Sequence, residues 1–498
     1  MVIADKFGTS TEYDLYLIAI ILPALAYGVI NFASFYLFVP YLTRRFEAQI
    51  DGEPRQGWRS AWTIFNFSIV SAVVITVIIV LAAPYIMRIW TSDFTAEEFT
   101  RIILYSRLTA LIVILGTSEA FFRAVLNIKQ VFTYPAAGPI IFNLVSVACI
   151  ILFYRELSVG AIAVGLVAGI FLQNIYLVIR LITYHPLTEY RPTVFSSEVK
   201  LVLVTAGVLI LIEVLNRSYF MIDRYFAPAF GPGIVSALNY SQVLVQLPDS
   251  VVGLAIASVV FPMFSSSQIE TDRERFGSVY RKAVTGGVLV AVPLAVYFFL
   301  NATDIVYLVF FRGVFNAESV HFTTGVLKPY TPTIIALFVV STSIRACYGR
   351  GWGKTVLLFT VILLGAKFVA TALFSRWFGY PGISAATTLS QVSFAIALLV
   401  LVIQRARMPE KGQFVFSVFK LLLAGAAGFL VLYFLGPVIA EYFPAVSRLQ
   451  AAIRLIISGI VLFVVYLILV YWMGLGTYIS RTIRISPRPA EERTPHVQ

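Results

Sequence analysis

Charge is scarce in this sequence: 12% of its 498 residues are Asp, Glu, Lys or Arg, against 59% hydrophobic residues. Soluble domains carry about 25% charge, so an assembly of soluble domains is excluded although the length would hold two or more. Cysteine is scarcer still. Cys149 and Cys347 both lie within apolar runs, which leaves neither a disulfide framework nor a zinc-ligand spacing. His185, His321 and His496 are scattered, so no metal and no other cofactor is assigned. A Gly-Lys-Ser/Thr phosphate loop is missing, which excludes ATP hydrolysis through such a motif. No polar loop exceeds about 20 residues, so there is no room for a sizeable catalytic domain outside the apolar segments.

What is present is a series of apolar runs, each long enough to cross the roughly 30 Å hydrocarbon core of a bilayer. Bounded by Pro, Gly and charges, they predict an all-α polytopic membrane protein of about thirteen transmembrane helices. The predicted spans are 15–42, 62–86, 102–128, 132–154, 159–182, 199–226, 234–264, 280–311, 322–346, 354–376, 381–404, 414–436 and 450–474. The net charge of +12 does not form a nucleic-acid-binding patch, because the basic residues sit in short loops. Arg44, Arg45, Arg55, Arg59, Arg273, Arg275, Arg281 and Lys282 fall on one side, with about 24 of the 37 Lys and Arg in all. The positive-inside rule makes that side cytoplasmic, together with the tail at 477–498.

The chain also matches itself. An offset of 222 residues superposes Pro40 on Pro262, Arg123-Ala124 on Arg345-Ala346 and Gly160 on Gly382 without a gap. This predicts a parallel repeat of two pseudo-symmetric helical lobes, 1–190 and 197–407, followed by a C-terminal helix pair at 412–476. The counterpart of the helix at 199–226 would precede Met1, so the first lobe is expected to lack its first helix.

Ionisable side chains at membrane depth cost several kcal/mol unless paired or hydrated, which makes them the first candidates for function. The span 199–226 carries Glu213, Arg217, Asp223 and Arg224, with Glu213 and Arg217 spaced to pair on one helix face. The span 102–128 carries Arg107, then Glu119 and Arg123 at the same i,i+4 spacing. Such pairs either satisfy only themselves or serve a substrate, and Arg123 can also snorkel. Lys367 lies at the centre of LLGAKFVAT, too deep to reach either surface, so it must be paired, neutral or beside water. Pro23, Pro135, Pro139, Pro248, Pro262 and Pro293 interrupt apolar runs, where each frees a helical carbonyl and permits bending.

At MIDRYFAPAF (221–230) and ALNYSQVLVQLPDSVVGLAIASVVFPMFS (237–265) the sequence resembles the lipid II flippase family, within the multidrug, oligosaccharide-lipid and polysaccharide exporters. The likeness extends through FGTSTEYDLYL, which contains Asp14, FRAVLNIKQVFTYPAAGPIIFN, RGVF (312–315) and IRACYGRGWGKT. It implies fourteen helices, an undecaprenyl-diphosphate-linked sugar as cargo, membrane lipids and enzymes of cell-envelope glycan synthesis as partners, and alternating access in a bacterial inner membrane. Family arginines follow a Leu-Pro step in the second helix and lie in an Asn-Tyr-Ala-x-Arg-Leu stretch. Here Leu22-Pro23 is followed by Ala24-Leu25-Ala26-Tyr27, and Val243 takes the second position. A diphosphate needs cationic partners, so Arg217 is the expected substitute. Glu213, Arg107, Glu119, Arg123 and Asp14 complete the candidate substrate-binding set. The resemblance also places Asp223, Lys367 and Thr371 where relatives hold a monovalent cation, and implies an intramembrane pair in which the lysine ammonium stands in for the ion.

The expected activity is therefore a carrier's and not an enzyme's: translocation of a lipid-linked saccharide, with the polyprenyl tail near the C-terminal pair. Three alternatives stay open, namely a drug or cation exporter of the same superfold, a membrane glycosyltransferase and a non-transporting scaffold in glycan assembly.

Overall fold

The computed structural model describes residues 1–33, 39–47, 55–91, 94–184, 193, 197–253, 273–406, 408, 410–444 and 447–475. Pro262, the end of the predicted span 234–264, the loop 265–282 up to residue 272 and the tail 477–498 lie outside them. Among the described residues the chain is helical and contains no strand. The helices are α1 (Val2–Phe7), α2 (Thr11–Ala19), α3 (Ile21–Ala33), α4 (Val39–Glu47), α5 (Arg55–Ile86), α6 (Ala96–Thr109), α7 (Leu111–Ile128), α8 (Thr133–Leu157), α9 (Gly160–Tyr184) and α10 (Ser197–Phe226). They continue as α11 (Ile234–Pro248), α12 (Arg273–Leu300), α13 (Ala302–Phe310), α14 (Ala317–Tyr330), α15 (Thr333–Gly349), α16 (Gly353–Phe378), α17 (Pro381–Arg405), α18 (Lys411–Tyr442) and α19 (Arg448–Val470).

Nine described helices are long and apolar enough to cross a membrane, or eleven if each bent pair counts as one span. Of the other predicted spans, 199–226 is the helix α10, and 234–264 begins as α11. Side-chain distribution is that of a protein in lipid. On α5 the residues Val70, Val74, Val77, Ile78 and Leu81 are exposed, whereas Ala72, Ile79 and Ala83 are buried. Apolar residues face outwards because hydrocarbon, unlike water, does not penalise them.

The predicted first span is broken. Between α2 and α3 the axis bends by 45° at Ile20. Pro23 sits in the first turn of α3, where it has no N–H for the carbonyl of Ala19, so the ladder cannot run through. The predicted spans 102–128, 280–311 and 322–346 are also interrupted, at Ala110, Asn301 and Thr331-Pro332. The 222-residue repeat persists in the elements: α6, α7, α8 and α9 recur as α14, α15, α16 and α17, each start within two residues of the offset.

The chain forms two compact units that interleave along the sequence. The first comprises Met1–Val243, Val306–Tyr330 and Trp352–Ser390. In it α8 and α9 pack through small residues: a Cβ on Gly165 would lie 2.9 Å from the Ser146 carbonyl oxygen, and one on Gly169 2.7 Å from that of Phe142. Such small-xxx-small contacts let backbones approach closely where lipid gives no hydrophobic drive. Trp62, Phe121, Phe122 and Leu177 build a core between α5, α7 and α9. Ala72, Ile79, Ile112 and Val113 build another, covered by Tyr27 and Ile30 of α3.

The second unit comprises Leu244–Ile305, Thr331–Gly351 and Gln391–Gln498. Here α19 docks on the α12–α13 corner through a polar seam. Arg454 pairs with Asp304 at 3.1 Å, the Ser458 hydroxyl donates to Asn301 Oδ1 at 3.0 Å, and the Tyr297 hydroxyl donates to the Leu455 carbonyl at 2.9 Å.

Candidate functional site

Two groups of charged residues come together inside the first unit. The first is built on one face of α3. Gly28 and Asn31 are three residues apart, hence neighbours along that face at a rise of about 4.5 Å. Gly28 leaves room for the guanidinium of Arg217 on α10: a Cβ there would lie 2.1 Å from Arg217 Cζ. Asn31 accepts a hydrogen bond from Arg123 Nη2 on α7. Two guanidinium groups thus meet one helix face within the apolar part of the chain.

Each arginine is held by a carboxylate on its own helix. Arg217 Nε donates to Glu213 Oε1 at 2.7 Å, and Arg123 Nε lies 3.3 Å from Glu119 Oε1. The side chains of Arg217 and Arg123 are 44% and 36% exposed, while those of Glu213 and Glu119 are 12% and 3% exposed. The carboxylates therefore lie deeper than the guanidinium groups, which are the more accessible charges. Gln173 of α9 donates to Glu119 Oε1 at 3.1 Å, and Tyr27 of α3 covers Gly116 of α7. The four charges sum to zero, and the accessible ones are positive. Such an arrangement can receive an anion through guanidinium forks.

The second group is the predicted buried pair. Lys367 Nζ lies 3.0 Å from Asp223 Oδ1, and the lysine side chain is fully buried. The ammonium also donates to the Tyr219 carbonyl and stands 5.0 Å from the centre of the Tyr219 ring. The Asp223 carboxylate accepts from Thr387 at 2.9 Å. Thr371, expected beside the pair, instead donates to the Lys367 carbonyl at 2.8 Å, one helical turn back. Its hydroxyl satisfies the backbone, and the hydroxyl that reaches the carboxylate is that of Thr387.

Two other candidates are used elsewhere. Arg107 Nε donates to the Val80 carbonyl at 3.2 Å. That carbonyl is the one Pro84, four residues on within α5, cannot bond, so Arg107 repairs a proline break. Asp14 caps α11 from a distance. Its Oδ2 accepts from the Gly233 N–H at 2.6 Å, and its Oδ1 from the Ser236 N–H at 2.7 Å and the Ser236 hydroxyl. A carboxylate on the free N–H groups of a helix start is favourable on hydrogen-bonding and dipole grounds. Neither residue joins the arginine cluster. Gly28, Asn31, Gln173 and Thr387 were missed; Asn31 and Gln173 are polar positions within apolar runs, a signal that spacing of charges alone does not use.

Comparison with known proteins gives a consistent picture. Residues 3–453 match the family described as lipid II flippase MurJ. A relative named probable lipid II flippase MurJ, from Vibrio cholerae, is 22% identical over 283 residues, 55% of this chain. The aligned part spans about half of that relative, 53% of its length. Among solved structures, one titled lipid II flippase MurJ in an inward closed conformation superposes with a TM-score of 0.77 at 18% identity, covering 96% of this chain and 95% of that one. An inward-facing multidrug resistance MATE transporter of the MOP superfamily superposes with a TM-score of 0.67 at 14% identity, covering 81% and 92%.

Proposed function

The chain belongs to the MurJ family of lipid II flippases, and from that premise we propose that it moves an undecaprenyl-diphosphate-linked saccharide across a bacterial inner membrane by alternating access. The observation that carries the reading is the pair of accessible guanidinium groups, Arg217 over Gly28 and Arg123 on Asn31. A diphosphate in a low-dielectric site needs cationic, hydrogen-bonding partners, and this pair supplies them where the Leu22-Pro23 step and Val243 do not. In this reading Glu213 and Glu119 position the arginines. The Lys367 ammonium serves as a tethered cation for Asp223, so the carrier has no need of sodium. The lobes at 1–190 and 197–407 are the moving bodies, the polyprenyl chain runs along α18 and α19, and enzymes of envelope glycan synthesis are the partners.

The test is translocation of a fluorescent undecaprenyl-diphosphate-linked sugar in proteoliposomes, read by a membrane-impermeant quencher. Arg217→Ala should slow the flux by about tenfold or more, the loss of one charge-assisted contact. Arg376→Ala, exposed at the end of α16, should leave it unchanged. Equal effects, or flux no faster than in protein-free vesicles, would remove the proposal. Efflux of a cationic dye without movement of the lipid would assign the chain to the drug exporters instead.

A further inference from the structure

We propose that Glu119 is a proton-binding site that takes up one proton when the arginine cluster receives its anionic cargo. The identity of the cargo rests on the flippase reading; the proton site rests on the hydrogen bonding around Glu119.

Glu119 lies nine residues before the end of α7, about 14 Å along the axis, and its side chain is 3% exposed. An ionised carboxylate accepts through both oxygens. Here Oε1 holds both partners, Gln173 at 3.1 Å and Arg123 at 3.3 Å, while Oε2 is buried without a partner. A second orphan acceptor lies in the same α7–α9 seam. Asn174, adjacent to Gln173, donates through Nδ2 to the Leu115 carbonyl, one turn before Glu119, and its Oδ1 is also buried and unpartnered. Two buried acceptors with no donor leave the seam short of hydrogen. A proton on Oε2 neutralises the buried carboxylate and gives the seam a donor.

The surrounding charges set the direction of the linkage. Arg123 on α7 and Tyr27 on α3 are within electrostatic reach of Glu119, and Tyr27 is within reach of Arg217 on α10. From α9, Gln173 is neutral, Tyr176 lies about one turn further along and Arg180 about two. The other described ionisable side chains on helices packed against α7 are Tyr41 and Arg45 on α4, Arg59 and Tyr85 on α5, Glu97, Glu98, Arg101, Tyr105 and Arg107 on α6, and Tyr134, Cys149, Tyr154, Arg155 and Glu156 on α8. The set Arg123, Arg217, Glu119 and Glu213 is neutral overall. A diphosphate dianion brings two negative charges and competes with Glu119 for Arg123. Both effects favour the acid form of Glu119, and protonation in turn frees Arg123 for the phosphate. The proton forms an O–H bond at Oε2 and is taken from the buffer. By linkage each ligand tightens the other.

The experiment uses the full-length protein in nanodiscs and an undecaprenyl-diphosphate-linked monosaccharide, whose esterified phosphates stay ionised through the pH series. Calorimetry in buffers of different ionisation enthalpy should show uptake of close to one proton per bound probe. Affinity should rise as pH falls, approaching tenfold per unit at the basic end, where one proton is taken up per binding event. Glu119→Gln, which keeps an acceptor for Gln173 and removes the charge, should raise the affinity at high pH to the level the unaltered protein reaches at low pH and abolish the proton uptake. Binding without proton uptake, or the same pH slope in Glu119→Gln, overturns the proposal. If the unaltered protein binds the probe at no pH, the flippase reading falls and the proton site falls with it; binding without a slope removes the proton site alone.

Discussion

Lys367 shows how far one buried charge constrains its surroundings. Its ammonium has a carboxylate, a backbone carbonyl and a ring face around it, and no route to either surface. Breaking such a pair from one side leaves an uncompensated charge, which typically costs about 3–5 kcal/mol. Lys367→Met and Asp223→Asn should therefore each lower the thermal stability of the detergent-solubilised protein, and the double variant should lose much less than the sum. Additive losses in that cycle would mean the two groups do not interact. In the same protein, exchanging sodium for potassium should not change the flux of the labelled lipid; a sodium requirement would remove the tethered-cation role. Gly28 gives a second residue-scale prediction, in which function and stability separate. Gly28→Ala improves helix propensity by about 1 kcal/mol, yet its methyl group would occupy the place of the Arg217 guanidinium. Flux should fall by about tenfold while the melting temperature holds or rises. A fall in both would point to a packing role for Gly28. Much of this was legible in the sequence, because a lysine in the middle of an apolar run must find a partner and because Glu213 and Arg217 share a helix face. Which hydroxyl completes the Asp223 site was not. Thr371 and Lys367 are i,i+4 neighbours, and at that spacing a threonine hydroxyl reaches back to its own helix's carbonyl.

At the scale of elements, hydropathy located the spans but not their breaks. Mean apolarity is insensitive to a single missing N–H, and the bend at Ile20 comes from one proline in a first turn. Arg107 was singled out as a candidate ligand because charge at depth is costly, yet the cost is met at a proline break in the preceding helix. The Arg107 and Pro84 arrangement makes a prediction of its own. Arg107→Met should destabilise the protein by about 1 kcal/mol, by leaving the Val80 carbonyl without its donor. Pro84→Ala restores a backbone N–H at the fourth residue on, so the double variant should recover the loss while flux stays unchanged throughout. Failure of Pro84→Ala to rescue would show that Arg107 does more than repair the ladder.

For the whole molecule, the alternation of basic loops makes a prediction that reporter fusions can check. Fusions after residue 477 should report the cytoplasm, and fusions within 301–321 should report the outside; the opposite result at either position would reverse the orientation on which the direction of transport depends. The internal repeat was visible in sequence from a few landmarks, and the element boundaries carry it further, since both halves break at the matching place. Asp14 was less legible. Its partners at the start of α11 lie 219 and 222 residues along the chain, beyond any local pattern. That separation has a consequence for biosynthesis. At about 5–20 residues per second, roughly ten to forty seconds pass between the emergence of Asp14 and that of Ser236. Throughout that interval the Asp14 carboxylate lacks its Gly233 and Ser236 donors, although α2 can already pair with α6 through Glu12 and Arg101. One end of α2 thus waits for a helix made more than 200 residues later, and a ribosome that stalls before residue 233 leaves Asp14 without the donors it holds in the folded protein.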